Sequence, residues 1–195
     1  MLPRDAITEA IRSESLRGRP ALIAFMTAGF PSRERFAADL LRVGETADVI
    51  EIGVPFSDPM ADGVTIQRSS RAALADGVTL SWIIAELTTL AKRPRAPLLL
   101  MSYLNPLLAY GMGRLPAAAR TAGIAGFVVP DLPFEECAEL RAALAAEGIA
   151  LVQMVTPVTP SARLAMLARE SEGFVYAVTM TGTTGRDVAV PDAVL

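Results

Sequence analysis

Short apolar runs alternate with amphipathic stretches along the whole chain. The runs are Ala21 to Met26, Val49 to Val54, Leu98 to Met101, Ile124 to Val129, Ile149 to Val155 and Phe174 to Val178. Each is a near-continuous stretch of Val, Ile, Leu, Ala and Phe, the pattern of a strand buried on both faces of a parallel sheet. Between them lie helical patterns. Ser32 to Val43 has Ser32 as N-cap and Gly44 as C-cap, and Pro133 to Glu147 starts on proline and ends at Gly148. Ser161 to Arg169 repeats the theme. The longer gap from Pro55 to Pro97 holds a loop and two helical stretches, Thr65 to Ala75 and Ser81 to Ala91. Run centres otherwise recur roughly every 25 to 28 residues, which predicts repeated βα units with right-handed crossovers.

Each run ends in polar or turn-forming residues. These are Thr27-Ala28-Gly29, Glu51 with Pro55 to Asp58, Ser102 to Asn105, Pro130-Asp131, Thr156-Pro157 and Thr179 to Gly185. Parallel α/β folds bind ligands at the carboxyl ends of their strands, so six such endings in succession point to a site there. A (β/α)8 barrel needs eight strands and typically about 250 residues. Only six runs are present, and Val190 to Leu195 reads as the start of a sixth crossover helix. The expectation is α/β: one domain over residues 1–195, a partial TIM (β/α)8 barrel of about six βα units without strands seven and eight. Its open edges, strands one and six, would carry unpaired backbone groups. A doubly wound open sheet of six strands is the alternative. Against it, Thr27 to Pro31 carries no Gly-x-Gly-x-x-Gly fingerprint.

Composition narrows the chemistry. The chain has 195 residues, 52% hydrophobic and 20% charged, enough for one domain with a substantial core. A formal net charge of −3 weighs against nucleic acid as the main partner. There is no histidine, which excludes a Ser-His-Asp triad, a Cys-His pair and an HExxH zinc site. Cys137 is the only cysteine, so no internal disulfide forms and a reducing compartment fits. Lys92 is the only lysine, and a Schiff-base enzyme would have to use it. No run approaches a membrane span and the N-terminus lacks the apolar core of a signal peptide, so a cytoplasmic location is expected.

Asp, Glu and Tyr remain for proton chemistry. Glu51 lies inside an apolar run, where a carboxylate is costly unless paired or employed. Strand alternation puts Val49, Glu51 and Gly53 on one face, and a small Gly53 would let Glu51 reach an open cavity. Burial raises a carboxyl pKa, which suits a general acid or base near neutrality. The competing reading is an arginine-paired Glu inside the barrel. Asp58 and Asp62 lie in a Pro/Gly-rich loop, where a lone Asp is ordinary turn chemistry. Beside Glu51, the loop can fold a second carboxylate over the strand end, and two carboxylates in different environments can divide the acid and base roles. Thr181 to Gly185 is either a phosphate-binding nest or a plain flexible loop. Phe25, Tyr103, Met154, Phe174 and Tyr176 are core residues or the wall of a flat aromatic ligand.

The run Glu51-Ile52-Gly53-Val54-Pro55-Phe56-Ser57-Asp58-Pro59-Met60-Ala61-Asp62-Gly63 closely resembles the signature of the tryptophan synthase alpha chain family. Further matches lie in register: Phe25 to Pro31, Met101 to Pro106, Pro130 to Pro133 with Glu135-Glu136, and Thr181 to Gly185. The resemblance implies a (β/α)8 barrel that cleaves indole-3-glycerol phosphate to indole and glyceraldehyde 3-phosphate. The retro-aldol step uses neither metal nor Schiff base. It implies Glu51 as general acid/base and Asp62 as the second carboxylate, at the indole N–H. It places Phe25, Tyr103, Met154, Phe174 and Tyr176 around the indole. Thr184 and Gly185 fall in the loop that closes over substrate, with Gly185 beside the phosphate. Pro55, Asp58, Asn105 and Pro133 fall in the loops that meet a beta chain in an alpha2beta2 assembly. The pyridoxal phosphate belongs to that partner, so this chain needs no cofactor. Val64 departs from the family's usual proline after Asp-Gly, and the family continues through strands seven and eight beyond residue 195. Two other readings stay open: a catalytically incompetent barrel remnant that binds a subunit, and a stand-alone indole-3-glycerol-phosphate lyase.

Overall fold

A computed structural model describes residues 2–179. The tail from Val190, the stretch Thr181 to Gly185, and with it Thr184 and Gly185, lie outside the described residues. Six strands form one parallel sheet: β1 (Ile23–Thr27), β2 (Val49–Gly53), β3 (Leu98–Met101), β4 (Ile124–Val128), β5 (Ala150–Val155) and β6 (Val175–Ala177). Their spatial order is their chain order, each strand pairing with the next. A doubly wound sheet reverses that order at a switch point, so the alternative falls.

Alternation divides the sheet into two faces. Ile50, Ile52, Leu98, Leu100, Ile124 and Phe127 point outward. They pack under α2 (Phe36–Val43), α4 (Leu80–Thr89), α6 (Leu115–Ala122) and α7 (Ala138–Ala146), which contribute Leu40, Leu87, Leu115 and Leu144. Val49, Leu99, Val128, Ala150 and Val152 point inward and pack around Ile7 of α1 (Pro3–Leu16). Helix α1 therefore covers the inner face rather than the outer one. A register shift between Leu98 and Leu99 leaves Ala125 as an extra residue in β4 and brings Gly126 opposite Leu99. A Cβ at Gly126 would stand 2.6 Å from Leu99 Cδ2 and 3.0 Å from Ile7 Cδ1, so the missing side chain is what admits the plug. Ile7→Ala is expected to cost about 2–5 kcal/mol in urea-melt stability. A cost under about 1 kcal/mol would mean α1 merely rests on the sheet.

Several element ends depart from the hydrophobic pattern. The stretch from Ser32 opens as a 3₁₀ turn, Arg33–Arg35, and Ser32 caps no backbone N–H. Tertiary contacts hold that turn: the Arg33 N–H donates to Asp76 at 3.2 Å, and its guanidinium lies 4.9 Å from the Trp82 ring centre. Pro133 likewise leads into a 3₁₀ turn, Phe134–Glu136, before α7 begins. Gly44 keeps ordinary helical φ; a Cβ there would meet Pro94 at 2.7 Å, so it supplies space rather than a left-handed cap. Between β3 and β4 lie two helices that the pattern hid, α5 (Leu104–Tyr110) and α6. Pro106 and Pro116 both sit in a first helical turn, where the lost N–H costs nothing. The remaining helices are α3 (Val64–Ala75) and α8 (Ser161–Glu170). Among the described residues, no helix is long and apolar enough to cross a membrane.

Candidate active site

Glu51 sits in the middle of β2, opposite Phe25 on β1 and Leu99 on β3. It is 3% exposed. Among the described residues, no arginine or hydrogen-bond donor pairs with its carboxyl. Burial alone pushes its pKa up to about 7. A carboxyl with that pKa has both protonation states populated at neutral pH.

The loop after β2 returns Asp62 towards the strand ends and leaves Asp58 outside. Asp58 is exposed and accepts the neighbouring Ser57 hydroxyl at 2.5 Å, which is local turn chemistry. Asp62 is half-buried; burial raises its pKa, and a hydrogen bond from the Tyr103 hydroxyl pulls it back down. Gln67 Nε2 donates to the Asp62 carbonyl at 3.0 Å and ties the loop to α3. Tyr176 on β6 faces both carboxylates. Its phenol pKa is raised first by burial, then by the charges of Glu51 and Asp62.

A slot of about 20 Å³ lies between the strand ends and the loop, lined among others by Phe25, Gly53, Asp62, Ser70, Met101 and Tyr103. That is room for one water and not for a bicyclic ring. The space above Gly53 is occupied rather than open, which corrects the expectation. The Phe25 ring covers it, and a Cβ at Gly53 would stand 2.5 Å from Phe25 Cζ. Phe25 is also the exposed wall of the slot: 40% of it faces solvent. Met154 lies opposite Tyr176 in register, and the Phe174 and Tyr176 rings are 6.3 Å apart. All three pack on the inner face with Val152 and Leu99. The five aromatic-wall candidates thus share the inner surface, and Phe25 and Tyr103 line the slot itself. A larger cavity, about 440 Å³, opens beyond β4 and β5, and neither Glu51 nor Asp62 lines it.

Of the four candidate partner-facing residues, Asp58, Asn105 and Pro133 are exposed. Pro55 is buried and contributes little surface, because β2 continues directly into the packed core before the loop turns out. Two residues were missed. Ser70 is a buried polar group of α3 on the slot wall, with no signal in a helical pattern. Asp131 accepts the Leu104 N–H at 2.9 Å and caps α5; its position at a polar strand end was the visible hint. Val64 is the exposed first residue of α3, and Gly63 before it has φ −77° and ψ 169°. That is the extended conformation a following proline demands. Val64→Pro is expected to raise stability by about 0.4–1 kcal/mol through the unfolded state. A lowered midpoint in thermal melts would show that the Val64 side chain or N–H is needed.

A family profile described as tryptophan synthase alpha chain matches residues 12–195. The chain is 51% identical over 188 residues to a tryptophan synthase alpha chain from Desulfovibrio desulfuricans, covering 95% of this chain and 74% of that one. It is 46% identical over 189 residues to one from a Geobacter species, covering 95% and 70%. Among solved structures, tryptophan synthase from Mycobacterium tuberculosis superposes with a TM-score of 0.85 at 33% identity, covering 92% of this chain and 70% of that one. The tryptophan synthase alpha subunit from Legionella pneumophila gives 0.81 at 30% identity, covering 89% and 67%.

Proposed function

The chain belongs to the tryptophan synthase alpha chain family, lyases that cleave indole-3-glycerol phosphate in tryptophan biosynthesis, and from that premise we propose that Glu51 and Asp62 carry the cleavage. The observation that supports this most directly is Glu51: buried, unpaired among the described residues, and with its pKa at about 7. Protonated Glu51 gives its proton to indole C3, which makes the ring an electron sink. The carboxylate then takes the proton of the glycerol hydroxyl as the carbon–carbon bond breaks. The electron pair of that bond returns to the ring, releasing indole and glyceraldehyde 3-phosphate. Asp62, ionised, accepts the indole N–H and stabilises the positive charge that develops there. The step consumes no oxidant and needs no cofactor in this chain.

The same proposal takes the described strands as the first six of an eight-stranded barrel in a single domain. It places Phe25, Tyr103, Met154, Phe174 and Tyr176 around the indole ring once Phe25 has moved. Thr184 and Gly185 belong to the closing loop and the phosphate. Asp58, Asn105 and Pro133 face a beta chain, which holds the pyridoxal phosphate, in an alpha2beta2 assembly located in the cytoplasm. Pro55 lies beneath that surface. The test is indole release from indole-3-glycerol phosphate by the purified chain, with and without a beta chain. Turnover that rises when the beta chain is added is expected. Full turnover that ignores the beta chain would instead indicate a stand-alone lyase, and folded protein with no turnover under either condition a subunit-binding remnant.

A further inference from the structure

Tyr103 sits where β3 turns into α5, 6% exposed, with its ring 5.2 Å from that of Phe56. A phenol oxygen accepts two hydrogen bonds and donates one. Here it works on one loop. The Ala61 N–H donates to Tyr103 Oη at 2.9 Å, the Asp62 N–H goes to the Pro59 carbonyl at 3.4 Å, and the hydroxyl bears on the Asp62 carboxylate, whose pKa it lowers. The turn that carries Tyr103 is itself fixed, because Asp131 at the end of β4 accepts the next residue's N–H, that of Leu104. A hydrogen-bonded chain therefore runs from the end of β4, through the end of β3, to the loop after β2.

We propose that Tyr103 is a positioning residue: its hydroxyl pins the Ala61–Asp62 turn and aims the Asp62 carboxylate into the slot, and Asp131 holds Tyr103 in place to do so. The inference rests on Asp62 acting on the substrate, but the clamp itself does not. A residue that only walls the indole would need its ring and not its oxygen. Tyr103→Phe separates the two, since it keeps the ring and deletes the hydroxyl that holds Ala61 and bears on Asp62. Among the described residues, the titratable groups that face Asp62 are Tyr103 after β3, Tyr176 from β6 and Glu51 across Tyr176, with Asp131 behind Tyr103. Of these only Tyr103 donates to the Asp62 carboxylate, so deleting its hydroxyl removes stabilisation of the ionised form.

The experiment is a carboxyl ¹³C NMR titration of parent and Tyr103→Phe, with amide exchange at Ala61 and turnover of indole-3-glycerol phosphate alongside. The Asp62 midpoint is expected to rise by about one pH unit. Ala61 exchange is expected to quicken about tenfold. kcat is expected to fall about 10- to 100-fold with KM nearly unchanged. Asp131→Ala is expected to give the same changes in smaller measure. An Asp62 midpoint that stays within about 0.2 units overturns the clamp. A shifted midpoint with kcat at the parent level, while Asp62→Asn abolishes turnover, overturns the positioning role. Parent-level turnover in Asp62→Asn overturns the catalytic reading instead, and the titration still decides the clamp.

Discussion

Glu51→Gln is expected to lower indole formation by about 10²- to 10⁴-fold while the protein keeps its fold, the span typical of losing a positioned acid/base group. The amide keeps the volume of the carboxyl and its place opposite Phe25 and Leu99, so the inner face packs as before. What it loses is the proton. Glutamine can neither deliver one to indole C3 nor accept one from the glycerol hydroxyl. The pH profile separates this loss from a binding defect. Because burial holds the Glu51 pKa at about 7, the parent profile should bend near neutrality, and the residual activity of the variant should not. Steady-state turnover from pH 5.5 to 9 measures both. Activity within about tenfold of the parent, with the bend retained, would move the acid/base role to another group.

How much of this was legible in the sequence depends on the range of the interaction involved. The placement of Val49, Glu51 and Gly53 on one face follows from the two-residue period alone, and the structure keeps it. That Glu51 has no partner among the described residues could not be read, because a partner would come from another strand or helix. The meaning of Gly53 inverted for the same reason: its empty side is filled by Phe25 from the neighbouring strand. The continuous apolar run Ile124 to Val129 concealed a bulge, since a run buried on both faces shows no break in alternation where a residue is inserted. Helices α5 and α6 went unassigned; each carries a proline in its first turn, where it does not interrupt the helix. Tyr103 was legible as an aromatic at a strand end. Its hydroxyl's work on Ala61 and Asp62 was not, because those residues lie some forty positions away, as the 42-residue separation of the Ala61–Tyr103 bond shows.

The second large effect is on stability, and it runs opposite to activity. Folding raises the Glu51 pKa from 4.5 to about 7, so between those pH values the native state holds a proton that the unfolded chain has released. Stability then falls as pH rises through this window. Below about pH 4.5 there is no penalty; above about pH 7 it is complete, at about 3 kcal/mol for a shift of this size. Asp62 adds a slope of the same sign through its own raised pKa, in parent and variant alike. Glu51→Gln removes the Glu51 part only. Urea melts should therefore show parent and variant close together at about pH 4 and diverging between about pH 4.5 and pH 7, with the inactive variant more stable by up to about 3 kcal/mol at pH 8. Parallel curves with a constant offset would mean that Glu51 is solvated or paired in solution, and the same result would remove the ground for its acid/base role. Divergence would show that the site keeps an unpaired carboxylate at the cost of stability, the pattern expected where a buried charge is retained for chemistry rather than for folding.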